Sequence, residues 1–333
     1  MSRYPYNAGR RSPQSGLTLI ELMISMTIGL VILGAVAYLY LGTRQTFRMA
    51  EGMSRIQENA RYAMEILARD VRMAGYIGCG NMRNVLLNTI ANPPTPSLSV
   101  ANAVTGNDSG SGPASIDGIT RPAGDTISIM GAFGGGVPLD GNLLPSNANV
   151  QLVGNPYGFT ANDVLVVTNC TNADMFRATN VSASGAITTI AHSNSSNTGN
   201  RIGSYGADAF VFKMEQYTYF IGTNPANLRS LYRSSLTQGV VELVENVQDM
   251  QIRYGIDSND DGAADGYITA SGLTAATWEQ VVSAQINLLL VSPEDGLTPS
   301  SQTYTLDGVT TTAADRRLYQ VITTTIGIRN RLP

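Results

Sequence analysis

The chain has 333 residues, a net charge of −4, and a composition that is 43% hydrophobic and 14% charged. That length exceeds one typical domain of about 150 residues, although extended β domains often run longer without dividing. The positive charge is almost entirely arginine, with Lys213 as the single lysine, and there is no basic cluster of the kind that a nucleic-acid groove requires. The composition favours an anchored, extracytoplasmic protein with one large head, and no nucleic-acid partner is expected.

The chain is organised around an apolar stretch from Gly16 to Leu41. About 20 apolar residues suffice to cross a hydrocarbon core of about 30 Å, so this stretch is long enough to span a membrane. The segment before it, residues 1–16, holds three arginines and no acid. This charge bias predicts a cytoplasmic leader and an exported head. A secretory signal peptide is a weak alternative, because its apolar core is shorter and its small residues follow that core.

Glu21 is a carboxylate near the start of this apolar stretch. A charged side chain within a membrane costs several kcal/mol and therefore calls for a partner. If the chain is cut before Leu17, the new α-amino group lies one helical turn from Glu21, and the same group on a neighbouring subunit can pair with it. An ordinary membrane anchor is the alternative interpretation, and it leaves Glu21 uncompensated.

The run Gly16-Leu-Thr-Leu-Ile-Glu21-Leu-Met resembles the prepilin signal of the type IV pilin superfamily. In that family a short basic leader and a glycine precede a hydrophobic residue, and a glutamate stands fifth in the mature chain. The usual first mature residue is phenylalanine, whereas here it is Leu17. The resemblance implies cleavage between Gly16 and Leu17 by a prepilin peptidase, N-methylation of Leu17, and a role for Glu21 in docking into a growing filament.

A single helix is predicted over residues 17–75. No proline interrupts residues 14–92, and apolar residues recur every three or four positions beyond the membrane stretch, which places them on one helical face. The part 17–41 is predicted to be transmembrane and then filament core, and the second part to pack on the head. Gly75 or Gly78 is the predicted stop, because glycine readily adopts left-handed helix caps. The apolar stripe comprises Met53, Ile56, Ala60, Met64, Leu67, Val71 and Ala74.

Residues 76–333 are predicted to form the head, so the fold class is α+β and pilin-like, with one long N-terminal helix packed on a large β-rich head domain. Two tracts, Asn88–Asn149 and Ala191–Gly206, are rich in turn-forming residues and indicate loops. The second tract contains His192, which we expect at the surface. The strand candidates combine β-branched or aromatic residues with flanking turn formers; they are Thr126–Met130, Asp163–Thr168, Ala209–Ile221, Gln251–Ile256, Gln280–Val291 and Leu318–Arg329.

The chain has two cysteines, Cys79 and Cys170, and one histidine. Zinc requires about four ligands, so two cysteines in an exported chain favour a disulfide over a metal site. We predict a Cys79–Cys170 bridge that ties the end of the helix to the head.

Two later stretches resemble the minor pilins of the PilW kind. The run VELVENVQDMQIRYGID is similar to a valine-rich segment of that family, and of larger type II secretion pseudopilins, that leads into a strand ending in tyrosine. The run ITTTIGIRNR is similar to the final strand of PilW-type chains. Together with the N-terminal signal, the two runs indicate a PilW-like minor pilin.

This resemblance implies a function and a set of partners. A protein of this kind would prime pilus assembly at the inner membrane, sit at or near the pilus tip, and support pilus biogenesis, adhesion and twitching motility. Its partners would be other minor pilins, the major pilin, a large tip adhesin, the prepilin peptidase and the inner-membrane assembly platform.

The segment after the predicted strand Gln251–Ile256 carries a candidate calcium loop. Oxygen donors at alternating positions followed by a glycine match the first half of an EF-hand-like loop. The full motif has a bidentate glutamate where this chain has Ile268, so the site would be incomplete. The alternative is an acidic hairpin turn that needs only Asp, Asn and Gly turn chemistry. The candidate ligands are Asp257, Asn259, Asp261 and Asp265, with the carbonyl of Ala263.

The sequence predicts no enzyme. It contains no G-x-S-x-G elbow, no H-E-x-x-H pair and no G-x-x-x-x-G-K loop, and its single histidine lies in a loop-like tract. Two alternatives to a minor pilin stay open. One is a minor pseudopilin of a type II secretion system, and the other is a membrane-anchored protein that binds surfaces or ligands through its loop tracts.

Overall fold

The computed structural model of the chain describes residues 16, 18–79, 85–92, 102–122, 124–147 and 149–332. It divides into two compact units, Met1–Glu51 and Gly52–Pro333. Leu17 and most of the predicted leader lie outside the described residues.

Helix α1 runs over Leu19–Arg72, with its residues up to Glu51 in the first unit and the remainder in the second. In the first unit its apolar side chains are exposed. In the second unit one face is buried, and that face carries most of the predicted stripe. The buried residues are Gly52, Ile56, Ala60, Ala63, Leu67, Asp70 and Val71.

The end of α1 follows from glycine chemistry. Helical hydrogen bonding gives way to turns after Arg72, and Gly75 adopts a left-handed φ of 75°. Its N–H donates to the carbonyl of Met130 at 2.7 Å instead of to the helix. Gly78 is also left-handed, at 97°, and its Cα lies against the ring of Phe212. The helix therefore ends three residues before the first predicted stop.

The head consists mainly of strands, joined by two 3₁₀ turns (Ala270–Gly272 and Arg329–Arg331) and a short helix α2 (Ala275–Trp278). The strands in chain order are β1 (Leu86–Thr89), β2 (Val104–Asn107), β3 (Ser115–Ile116), β4 (Ile119–Thr120), β5 (Thr126–Ala132), β6 (Val137–Pro138), β7 (Asn149–Val153), β8 (Val164–Thr168), β9 (Asn172–Arg177), β10 (Asn180–Ser184), β11 (Ile187–Ala191), β12 (Phe210–Thr223), β13 (Arg229–Ser235), β14 (Gly239–Glu245), β15 (Val247–Ile256), β16 (Gly266–Ile268), β17 (Val281–Val291), β18 (Thr303–Leu306), β19 (Val309–Thr312) and β20 (Tyr319–Gly327).

These strands form two large sheets and several small ones. The larger has nine strands, and its main path has the order β1-β9-β8-β12-β13-β14. The strands β5 and β6 also pair with β12, and β2 pairs with β5. The second has the order β16-β15-β17-β20, and β10-β11-β7 make a three-stranded sheet. Among the described strands the β1–β9 pair is parallel and the other pairs are antiparallel. This confirms the α+β prediction of a long helix and a β-rich head.

The main core joins the buried face of α1 to the inner faces of both large sheets. Ile56 and Leu67 from the helix share one apolar cluster with Ile127, Ile286 and Ile326 from strands. Burial of this kind stabilises by about 25 cal/mol per Å² of apolar surface. The helix is thus held by tertiary packing along its second part.

The predicted disulfide is confirmed, since Cys79 and Cys170 are bonded with a Cα–Cα distance of 5.0 Å. Cys170 lies in the tight turn between β8 and β9 and has a left-handed φ of 73°. The bridge joins the segment after α1 to the nine-stranded sheet.

The prediction that His192 lies at the surface is wrong, because its side chain is 0% exposed. It follows β11 directly and packs on Phe176 with ring centroids 5.3 Å apart. Neither ring nitrogen has a hydrogen-bond partner among the described residues. Burial lowers the pKa of His192, so the ring is neutral at pH 7.

Candidate functional site

The start of α1 is defined by Thr18 and Glu21. The backbone N–H and the hydroxyl of Thr18 each donate to Oε2 of Glu21 at 2.9 Å, and the N–H of Glu21 donates to the Thr18 hydroxyl at 3.3 Å. This reciprocal pair is a capping box, which satisfies backbone donors that the first turn of a helix leaves free. Glu21 therefore already faces the backbone next to the predicted cleavage bond, within one turn of the amine that cleavage would create.

The helix beyond Glu21 is built to be surrounded by apolar material. Its most hydrophobic 18-residue window has a mean hydropathy of 2.3, none of it is buried within the structure, and by length and composition it can cross a membrane. The hydroxyls of Ser25 and Thr43 donate to carbonyls four residues earlier at 2.7 and 2.9 Å, and Thr27 bonds Met23 in the same way. Such bonds remove the need for an outside partner. Glu21 is the one charged residue of the stretch 16–41.

In the head, a buried ionic cluster centres on Asp70 of α1, which is 3% exposed. Its carboxylate accepts a hydrogen bond from the hydroxyl of Tyr219, lies 3.5 Å from Nη1 of Arg233 and 2.9 Å from Nε of Arg69. Arg233 also stacks on Tyr217 at 4.5 Å from the ring centroid. Burial and the charge of Asp70 raise the pKa of Tyr219, which keeps the phenol a donor.

A groove of about 640 Å³ opens beside this cluster, between α1, β13, β14 and the segment after β20. Its charged lining consists of one carboxylate, from Glu65, and four guanidinium groups, and its apolar lining includes Ile66. The guanidinium groups belong to Arg69, Arg72, Arg233 and Arg329, of which Arg69 and Arg233 already face Asp70. Within the described ranges, Arg72 and Arg329 make no ion pair. The groove therefore presents positive charge next to apolar surface.

The candidate calcium loop is folded as a turn whose acids bind the loop itself. Asp257 is 2% exposed, and its carboxylate accepts from the N–H groups of Asp261 and Gly262 at 3.2 and 2.8 Å. Asn259 accepts from Asp261, and Asp265 accepts from Ser258. Across the described residues, no group of three or more His, Cys, Asp or Glu is placed to hold a metal ion. This geometry is that of an Asx turn, and calcium binding stays a prediction.

An apolar N-terminal helix that carries the prepilin signal, followed by a β-rich head, defines the class of type IV pilin-like proteins. Residues 218–330 match the family described as Type IV Pilus-assembly protein W, and residues 11–37 match the Prokaryotic N-terminal methylation motif. These matches confirm the resemblance to type IV pilus minor pilins of the PilW kind. Pilins are structural subunits, so the matches assign no reaction to the chain.

One curated relative is the Pilin-like protein PilA3 of Thermus thermophilus. It is 30% identical over 89 residues, which cover 26% of this chain and 36% of the relative. The chain thus matches little more than a third of the length of that protein. No solved structure matches the chain at a significant level.

The structure contains one side-chain cluster that the sequence analysis did not predict. The motif at Glu21 and the two cysteines were predicted from local sequence. The cluster around Asp70 was not, although an acid three residues after Leu67 on the buried stripe is a signal for a buried partner. The partners themselves cannot be predicted from local sequence, because Tyr219 and Arg233 lie 149 and 163 positions after Asp70.

Proposed function

We propose that the chain is a minor pilin of a type IV pilus. Its leader would be cut between Gly16 and Leu17 and the new amine of Leu17 methylated. It would wait in the inner membrane as a single-pass protein, with its leader cytoplasmic and its head periplasmic. It would then help prime assembly and remain at or near the pilus tip, supporting adhesion and twitching motility. The observation that carries this proposal is the lone carboxylate of Glu21, set at the start of an exposed apolar helix within a matching N-methylation motif.

The energetics of assembly follow from that helix. Lipid and the core of a filament are both apolar, so moving α1 between them changes hydrophobic burial little. Specificity then rests on groups that distinguish the two environments. Glu21 is such a group, because its carboxylate could pair with the N-terminal amine of a neighbouring subunit in the filament. Without that pair its charge would stay unpaired in an apolar medium, which is costly.

The experiment compares Glu21→Ala with Thr18→Val in cells that make the filament. Both variants break the capping box, but Thr18→Val keeps the carboxylate. We expect both proteins to be inserted in the membrane, and the Glu21→Ala protein alone to be missing from sheared filaments. Mass spectrometry of the mature chain should show a methylated Leu17 at its N-terminus. Normal incorporation of Glu21→Ala, an uncut leader, or copurification with secretion-system pseudopilins instead of pilins would contradict the proposal.

We assign the arginine groove to contact between the head and an acidic surface of a neighbouring pilin subunit. Arg72 and Arg329, which make no ion pair among the described residues, and the adjoining apolar lining suit a carboxylate-bearing partner. Arg72→Glu is expected to reduce incorporation into filaments, and Arg201→Glu is the matched control, because it makes the same charge change in an exposed loop away from the groove. Equal effects of the two substitutions would show that net charge, and not the groove, is responsible.

A further inference from the structure

Strand β20 is an unprotected edge of the four-stranded sheet. Among the described strands it pairs with β17 alone. Its sequence YQVITTTIG has no charge and no proline, and six of its nine residues are β-branched. Natural edge strands are usually short, charged, bulged or covered, because an open edge invites pairing with another chain. An edge of this composition is therefore suited to receive a strand.

The hydrogen bonds at both ends of β20 show which backbone groups face outward. Tyr319 exchanges two bonds of 2.8 Å with the side-chain amide of Gln302, on the side away from β17. At the other end, the N–H of Ile328 donates to Val282 beside the start of β17, at 2.8 Å. Because the two sides alternate along an antiparallel strand, even-numbered residues bond β17 and odd-numbered ones face out.

Val321, Thr323 and Thr325 are the odd-numbered residues between these ends. Their backbone N–H and C=O groups have no partner in the described part of the chain. They repeat every two residues over roughly 14 Å, a spacing of donors and acceptors that an extended peptide matches. Nearby, the side-chain Oε1 of Gln320 is buried and also lacks a partner among the described residues. The edge thus offers main-chain donors and acceptors plus one buried acceptor.

The direction of β20 argues against a second copy as the occupant. Its start is bonded to Ser292, which lies beside Gly52 at the beginning of the head portion of α1. Its end is close to Ala74, whose carbonyl accepts from Asn330 at 3.1 Å. β20 therefore runs in the same direction as the part of α1 from Gly52 to Arg72. Antiparallel pairing of two identical edges across a two-fold axis would set these parts of the two helices antiparallel. This does not suit the proposed function, on which the argument rests, because the subunits of one filament share one direction.

We propose that β20 receives an extended, uncharged segment of a different protein, which adds as a fifth strand beside it. Main-chain bonds to Val321, Thr323 and Thr325 supply affinity, as in other cases of strand addition. The outer face beside the edge is polar and neutral, with the Thr323 hydroxyl donating to Oδ1 of Asn287 at 2.7 Å. The core face beside it is apolar, with Ile322 packed on the main core. The incoming segment therefore alternates hydroxyl or amide side chains with small apolar ones.

The test places a photo-crosslinking benzoylphenylalanine at Thr323 or at Thr325 of the full chain in its own cells. Thr310, an exposed residue of β19, is the control position. We expect adducts from the two edge positions to map to one uncharged stretch of a second protein, at attachment sites two residues apart. Position 310 should give no adduct with that stretch.

Val321→Pro tests the main-chain bonds directly. Proline removes an outward N–H, which an edge strand tolerates, and Val321→Thr keeps it. The proline variant is expected to lower the Thr325 adduct by about fivefold, since one hydrogen bond is worth roughly that factor in affinity. The variant should still carry its disulfide and insert in the membrane. The proposal would be overturned if no adduct formed, or if adducts formed only with a second copy of the chain. It would also be overturned if the two attachment sites were not two residues apart, or if Val321→Pro left the adduct unchanged.

Discussion

Substitution of Asp70 by asparagine tests whether the buried ionic cluster holds the helix to the head. The change keeps size but removes the charge that faces Arg233, whose side chain is 18% exposed. Breaking a buried ion pair costs about 3–5 kcal/mol, because the remaining charge stays buried and uncompensated. Arg233 keeps its stacking on Tyr217, so we expect a cost at the lower end, about 3 kcal/mol. That corresponds to a factor of more than about 100 in the unfolding equilibrium.

The assay is urea unfolding of the full chain in detergent micelles, with Glu294→Gln as the control. Glu294 pairs at 3.8 Å with Arg55, which lies on α1 as Asp70 does, but both side chains are about half exposed. Loss of this ion pair should therefore cost less than about 1 kcal/mol. Tyr219→Phe alone should cost about 1.5–3 kcal/mol, the value of a hydrogen bond to a charged group. The double variant with Asp70→Asn should cost less than the sum. Equal effects of Asp70→Asn and Glu294→Gln would refute the reasoning.

Three further predictions concern the head. Replacing Cys79 and Cys170 by alanine should lower the free energy of unfolding by about 4–5 kcal/mol, because the bridge closes a loop of 91 residues; an unchanged urea midpoint would contradict this. Burial lowers the pKa of His192 below its ordinary 6.5. As the pH drops below 6.5, the imidazole is therefore protonated more readily in the unfolded chain than in the folded one, and the free energy of unfolding falls. His192→Phe should remove that part of the slope, and identical pH profiles would refute it. Asp257→Ala should lower the free energy of unfolding by about 1–3 kcal/mol, because two N–H groups lose their acceptor. If the loop binds calcium, calorimetry should show a heat of calcium binding for the unsubstituted chain and none for Asp257→Ala.

The sequence predicted those parts of the fold whose cause is local. The long helix follows from an interval without proline and from the three-and-four spacing of its apolar stripe. Strands β12, β17 and β20 follow from runs of β-branched and aromatic residues, and their observed bounds differ from the predicted ones by a few residues at most. The disulfide follows from a count of two cysteines in a chain that the sequence predicts to be exported.

The parts that were missed depend on contacts distant in sequence. β9 (Asn172–Arg177) has little β-branched content, and it is a strand because β8 and β1 pair with its two sides. His192 sits in a polar tract, yet its ring is covered by the cluster around Phe176. The partners of Asp70 are set by the sheet register, which no local pattern specifies.

The back-bonded hydroxyls of α1 have a consequence for how the protein moves into a filament. Because Ser25, Thr27 and Thr43 bond to carbonyls of their own helix, these three side chains require no hydrogen-bond partner outside it. They therefore set no preferred rotation of the helix about its axis. In the proposed filament, the carboxylate of Glu21 would fix the axial position of the subunit, and contacts made by the head would fix its rotation.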